Sequence, residues 1–234
     1  MQTLLQPAFI LHAQPYRETH ALLDVFTHDV GRIRVLARDI RKPKSALKSL
    51  LQAFSPLVLS WMGKGDFVTL LAAEASAPAI YLTGKALMSG LYLNELLVRL
   101  LGPSLADSAL FSDYQTTLYR LQQEPALDVT LRWFEKTLLK ALGYELPLHI
   151  DSENQPICPQ AYYRLDPLQG LFLLQDKSID NKSDYFQGAS LLALDQDEYH
   201  TLEQRRDAKR FMRHRLNTHL NGYRLKSLDL WRVH

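Results

Sequence analysis

Five short apolar segments crowd into the first 80 residues and constrain the fold more than anything else in the chain. They are Ala8–Ala13, His20–Thr27, Arg32–Ala37, Pro56–Trp61 and Phe67–Ala72. Each has strand length and strand composition, and turn chemistry separates them: Pro15, His28-Asp29-Val30-Gly31 and Gly63-Lys64-Gly65-Asp66. Five strands at this spacing predict a small closed barrel. A helix-like piece, Ser45–Ala53, falls between the third and fourth strands, where an OB-fold carries its capping helix. Such barrels bind single-stranded nucleic acid with a positive groove and stacking aromatics. Phe26, Phe54, Trp61 and Phe67 are candidate stackers, and each is also a natural core residue.

The third strand runs into the most basic stretch of the chain, GRIRVLARDIRKPKSALK from Gly31 to Lys48. Ile33, Val35 and Ala37 alternate with Arg32, Arg34 and Leu36, so one face is apolar and the other carries two guanidinium groups. Beyond the strand come Arg38, Arg41, Lys42, Lys44 and Lys48 against the single acid Asp39, with Pro43 interrupting any ladder. A solvated connection would tolerate this charge. Phosphate is the ligand that gives it a use.

The net charge of +2 conceals a sharp asymmetry. Residues 144–203 carry three cations against eleven acids, and residues 204–234 carry nine against two. Two basic ends therefore flank a neutral and an acidic section, which points to a charge-reading partner. Cys158 is the only cysteine, excluding an internal disulfide and any site built on two thiolates. No apolar run reaches membrane-spanning length and the first twenty residues do not read as a signal peptide, so a cytoplasmic location is expected.

Residues 81–143 read as three helices: Lys85–Leu101, apolar nearly all round and therefore central; Ser108–Gln122; and a third after Pro125, closing at Gly143. On the third, Leu131, Phe134, Leu138 and Leu142 form an apolar face. Arg132, Lys136 and Lys140 form a basic ridge beside it. Snorkelling cations around a core stripe would give this pattern, and so would a groove for an acidic peptide with a bulky apolar end. Residues 144–195 read as a small hairpin-rich insertion containing YYRLD and GLFLLQ. His149 and Cys158 have no companions at metal-finger spacing, so no metal is expected. A final helix from about Asp197 to Leu220, capped by the Asp195/Asp197 region, packs through Ala208, Phe211, Met212, Leu216 and Leu220. It offers Arg206, Lys209, Arg210 and Arg213 to solvent or to a polyanion.

No catalytic constellation emerges. The recurrence of His12, His20 and His28 spreads over different strands and turns, no phosphate-binding G-x-x-x-x-G-K-[ST] loop occurs, and the acids Asp195, Asp197, Glu198 and Glu203 suit a helix start. A non-enzymatic protein without cofactor is expected.

Four ordered blocks carry a resemblance: the run FILHAQPYRETHALLDVFTHDVGRIRVLARDIRKPKSALKSLLQAFSPLVL, the helix GLYLNELLVRLL, the segment LRWFEKTLLKALGY and the ending AKRFMRHRLNTHL-NGYRLKSLDLWR. Together they resemble the bacterial recombination mediator family RecO over nearly the whole chain. The resemblance implies an α+β protein: an OB-fold barrel at 1–80, a helical bundle from 81–143 plus 196–234, and a small inserted domain at 144–195. Many relatives hold zinc on four cysteines in that insert; with Cys158 alone, this chain resembles the zinc-free branch. The resemblance also implies binding of single- and double-stranded DNA and annealing of complementary strands. It further implies cooperation with RecR in loading RecA on DNA coated by single-stranded DNA-binding protein (SSB), and a nucleoid-associated location. The basic residues 32–48 and the Arg206–Arg213 face would hold DNA. Arg132 falls in the matching LR-x-F segment, so Arg132, Lys136 and Lys140 would receive the acidic C-terminal tail of SSB. An adaptor that mainly binds a protein tail, and an RNA-binding OB protein, are the alternative readings.

Overall fold

Strand alternation closes the N-terminal barrel as the sequence predicts. In the computed structural model, which describes residues 5–42, 45–65, 67–103, 105–166, 168–174 and 184–232, the strands are β1 (Gln6–Tyr16), β2 (His20–Thr27), β3 (Gly31–Ala37), β4 (Leu57–Met62) and β5 (Phe67–Ala75). They close in the order β1-β2-β3-β5-β4, every pair antiparallel except β3–β5. Ala8, Ile10, Leu23, Val25, Ile33, Val35, Ala37, Leu57, Leu59, Trp61 and Val68 fill the interior. The helix between β3 and β4 is a single turn, α1 (Leu47–Leu50), shorter than Ser45–Ala53. Its N-cap is Ala46, which makes no side-chain hydrogen bond, so nothing extends it upstream.

One glycine sets the entry to β3. Gly31 has φ +78°, and a Cβ there would lie 2.1 Å from the Leu105 carbonyl oxygen. Only glycine permits both the left-handed turn and that approach.

Two helices cover part of the barrel's outer face. Phe9 of β1 and Phe26 of β2 point outward, yet they are fully buried, because α3 (Ser108–Gln123) lays Phe111 and Tyr114 on them with ring centroids 5.2–6.1 Å apart. Burying each Phe contributes roughly 2–3 kcal/mol. Behind them α2 (Gly84–Leu100) presents Asn94, whose amide donates to the Leu11 carbonyl at 2.9 Å and accepts from the Tyr114 hydroxyl at 2.6 Å. The 3-10 segment Lys226–Arg232 returns to α2, where Glu95 accepts from the Lys226 and Ser227 amides at 2.9 and 2.8 Å. Residues 1–125 with 225–234 thus form one compact unit. Sequence periodicity places α2 and α3 in a bundle with the third helix; they group with the barrel because Phe9 and Phe26 need cover.

Residues 126–224 form the second unit. It contains α4 (Leu127–Ala141), a sheet of β6 (Tyr162–Asp166), β7 (Gly170–Leu173) and β8 (Tyr185–Gln187) in the order β7-β6-β8, then α5 (Gly188–Gln196) and α6 (Leu202–His219). The terminal helix expected from about Asp197 starts five residues later, at Leu202, and a separate helix, α5, precedes it. Asp197 itself adopts φ +58°, ending α5. The cap of α6 is Thr201, whose hydroxyl accepts from the Gln204 amide while the Gln204 side chain accepts from the Thr201 amide. That Thr-x-x-Gln box was the signal for the true start. In the insert, Tyr163 Oη accepts from the Cys158 amide at 2.8 Å and Asp151 Oδ1 accepts from the Glu153 and Gln155 amides at 2.9 Å.

Candidate nucleic-acid interface

The barrel's register sets out a row of side chains on its outer face. His12 of β1 pairs with Asp24 of β2, Asp24 with Arg34 of β3, and Arg34 with Phe67 of β5. Asp24 is the acid that pattern reading overlooked, although a lone carboxylate inside the apolar strand HALLDVFT was the available signal. Its side chain is 6% exposed and accepts from Arg32 at 3.0 Å and from Arg34 Nε at 3.4 Å, with His12 Nδ1 3.8 Å away.

The two strand arginines consequently have different roles. Arg32 is only 14% exposed, and its Nε donates to the Leu101 carbonyl at 3.0 Å beside its bond to Asp24. It fastens the end of α2 to the barrel, which corrects its assignment as a DNA contact: two of its donors are committed and the side chain is largely shielded. Arg34 keeps a 53% exposed side chain and, among the described residues, bonds only through Nε to Asp24.

Beyond β3 the basic loop stays open. Arg38 and Lys48 are exposed and make no ion pair or side-chain hydrogen bond among the described residues. Asp39, at φ +56°, accepts from Lys42 Nζ at 3.0 Å and from the Thr19 hydroxyl at 3.1 Å; these bonds, Lys42's first, hold its carboxyl below the usual carboxylate range. Arg41 donates its backbone N–H to the Thr19 carbonyl and a guanidinium N–H to the Arg17 carbonyl at 3.2 Å, and makes no ion pair among the described residues. Lys44 lies outside the described residues. In the later turn between β4 and β5, Lys64 is exposed as well. Of the four candidate stackers, Phe26, Phe54 and Trp61 are core, and Phe67 is 52% exposed.

The second basic surface is on α6. Arg206, Lys209 and Arg213 are exposed along one face. Partial burial first, and then repulsion from the Arg132 and Arg213 guanidinium groups, pushes the Lys209 ammonium below its ordinary pKa. Arg210 does not belong with them: it donates to the Tyr185 carbonyl at 2.6 Å and to Asp207 at 2.9 Å, and lies 4.5 Å over the Phe186 ring. It holds α6 against β8.

The expected ridge on α4 is changed most. Arg132 is buried and forked onto buried Glu135, its Nε donating to Oε2 at 2.7 Å. Lys136 pairs with Asp197 at 2.9 Å and donates to the Leu194 and Asp195 carbonyls. Lys140 alone is exposed, and it pairs with Glu145 at 3.0 Å. The helical spacing is right, but acids from the helix itself and from the following segments meet each cation. Lys136 and Lys140 do line a cleft of about 250 Å³ whose walls include Trp133, Leu139, Leu148, Phe211 and Met212. Arg215, on the same cleft, donates to the Tyr144 carbonyl at 2.6 Å.

A closed five-stranded barrel with one parallel β3–β5 pair and a capping turn before β4 makes this an OB-fold protein continued by a helical region. Residues 1–79 match the family described as Recombination protein O N terminal, and residues 82–229 match Recombination protein O C terminal. A DNA repair protein RecO from Coxiella burnetii (strain RSA 331 / Henzerling II) is 41% identical over 97% of this chain and 97% of its own length. One from Aliivibrio fischeri (strain MJ11) is 40% identical over 99% of the chain and 96% of its own length. One from Burkholderia orbicola (strain AU 1054) is 40% identical over 93% of the chain and 78% of its own length. The chain belongs to the RecO family of DNA repair and recombination proteins. Among the described residues, no helix is long and apolar enough to cross a membrane.

Proposed function

We propose that this chain is a non-catalytic recombination mediator that binds single- and double-stranded DNA, anneals complementary strands and, with RecR, helps load RecA on SSB-coated single strands at the nucleoid. The observation that carries this reading is the open cation cluster of Arg34, Arg38, Arg41, Lys42 and Lys48, opposed only by Asp24 and Asp39 among the described residues. Annealing is limited by repulsion between two phosphate chains. A protein that neutralises both lowers that barrier without bond chemistry, and Arg206, Lys209 and Arg213 supply a second neutralising surface.

Reversing Arg38, Arg41 and Lys42 to Glu should weaken binding of every DNA sequence alike, since phosphate contacts position but do not specify. Unchanged affinity would show the interface lies elsewhere. A second reading, the tail-binding adaptor, is favoured by the cleft on 126–224: an apolar floor beside Lys136 and Lys140 suits the bulky end and carboxylate of the SSB tail. The tail would have to displace Asp197 and Glu145 from those lysines, so the adaptor reading requires tail binding that weakens with salt.

A further inference from the structure

Phe67 is an exposed aromatic where apolar surface would ordinarily be covered. It opens β5, with Asp66, outside the described residues, between it and Gly63-Lys64-Gly65. Its register partner is Arg34 on the parallel strand β3, and the next pair, Val35 and Val68, is buried inside the barrel. Strand alternation therefore places Arg34 and Phe67 side by side on the outer face, with half of each side chain open to solvent. Lys64 lies three residues upstream, and Arg38 continues beyond the end of β3. An aromatic face bordered by cations matches a nucleotide, whose base offers a π-face and whose phosphate offers charge. Leu71 and Met62 are also about half exposed on this face, but the residue in register with Phe67 itself is a guanidinium.

Building on the DNA-binding reading above, we propose that Phe67 is the platform on which one unpaired base stacks while Arg34 holds an adjoining phosphate, so that this face of the barrel selects single strands over duplex. In a duplex both faces of each base are already stacked, and the platform has no ligand. Charge gives affinity for either form; the ring adds affinity for one.

The test uses the full chain, a labelled oligothymidylate, an abasic oligomer of the same length, and a hairpin duplex, followed by fluorescence anisotropy across a salt series. Phe67→Ala should lose about 5- to 100-fold in affinity for oligothymidylate with an unchanged salt slope, because stacking adds to the non-electrostatic part. Abasic and duplex affinities should stay within about twofold of wild type, and Phe67→Trp should bind oligothymidylate at least as tightly as wild type. Phe67→Leu, which keeps apolar bulk without a π-face, should behave like Phe67→Ala. The proposal is overturned if Phe67→Ala leaves oligothymidylate binding intact, if duplex binding falls equally, or if Leu restores full affinity. In those cases, weakening of all three ligands by Arg34→Glu would leave the DNA-binding reading standing. Failure of the wild-type chain to bind any of them would remove that reading too.

Discussion

Removing Arg132 should destabilise the second unit before it affects any ligand. Its side chain is 7% exposed and that of Glu135 is fully buried, one helical turn apart on α4. Substituting Arg132→Ala strips the forked partner from a carboxylate that water cannot reach, a change that costs about 3–5 kcal/mol when one member of a buried pair is deleted. Lys140→Ala provides the contrast: both members of the Lys140–Glu145 pair are more than half exposed, and such pairs contribute about 0–1 kcal/mol. Urea unfolding followed by far-ultraviolet circular dichroism measures both, and the transition that moves should be that of residues 126–224. Replacing both partners, Arg132→Met with Glu135→Leu, should recover most of the loss, since apolar pairs of similar volume are tolerated where a lone charge is not. If Arg132→Ala unfolds within about 1 kcal/mol of wild type yet no longer binds an acidic apolar-ended peptide, the residue is a ligand contact and the structural argument is refuted.

Other outcomes follow from single contacts. Gly31→Ala combines a left-handed backbone with a collision against the Leu105 carbonyl and should cost about 2–5 kcal/mol in urea. Gly222→Ala, also at positive φ but in open space, should cost only about 1–2 kcal/mol. His219, stacked 3.8 Å from the Tyr144 ring, is held below its ordinary pKa of 6.5 by burial and then by the Arg215 guanidinium, so the unfolded chain takes up that proton first. The stability of 126–224 should be full above pH about 6.5 and decline as pH falls from there toward the lower folded-state value. Unfolding midpoints across that range should show the decline, and His219→Gln should flatten it; an unchanged pH profile in that variant would assign the dependence to another group.

The barrel was legible because its signals are local: alternation in β3, turn residues at each hairpin and short apolar runs in between. The parallel β3–β5 pairing follows from closing five such strands in OB order. What escaped was pairing across distance. Nothing in a one-dimensional charge count shows that Asp24 sits in register with Arg34, that Asp197 and Glu145 reach the lysines of α4, or that Arg210 turns inward over Phe186. Arg132, Lys136 and Lys140 fall on one helix ridge as the spacing requires. Their availability depends on acids 3–61 residues away in sequence. The division of helices was hidden for the same reason: α3 is amphipathic whatever covers it, and only the outward Phe9 and Phe26 reveal that its partner is the barrel.

On the proposed reading, the open cations of the barrel supply the electrostatic hold on DNA. The most direct test is the salt dependence of affinity for a single-stranded oligonucleotide. With Arg34, Arg38, Arg41, Lys42 and Lys48 each neutralising a phosphate, log affinity should fall against log salt with a slope of about −3.5, which is about a hundredfold loss between about 50 and 200 mM. Reversing Arg38, Arg41 and Lys42 to Glu should flatten that line by about 2 units. A wild-type slope shallower than about −1, or one that the three reversals leave unchanged, would contradict the account.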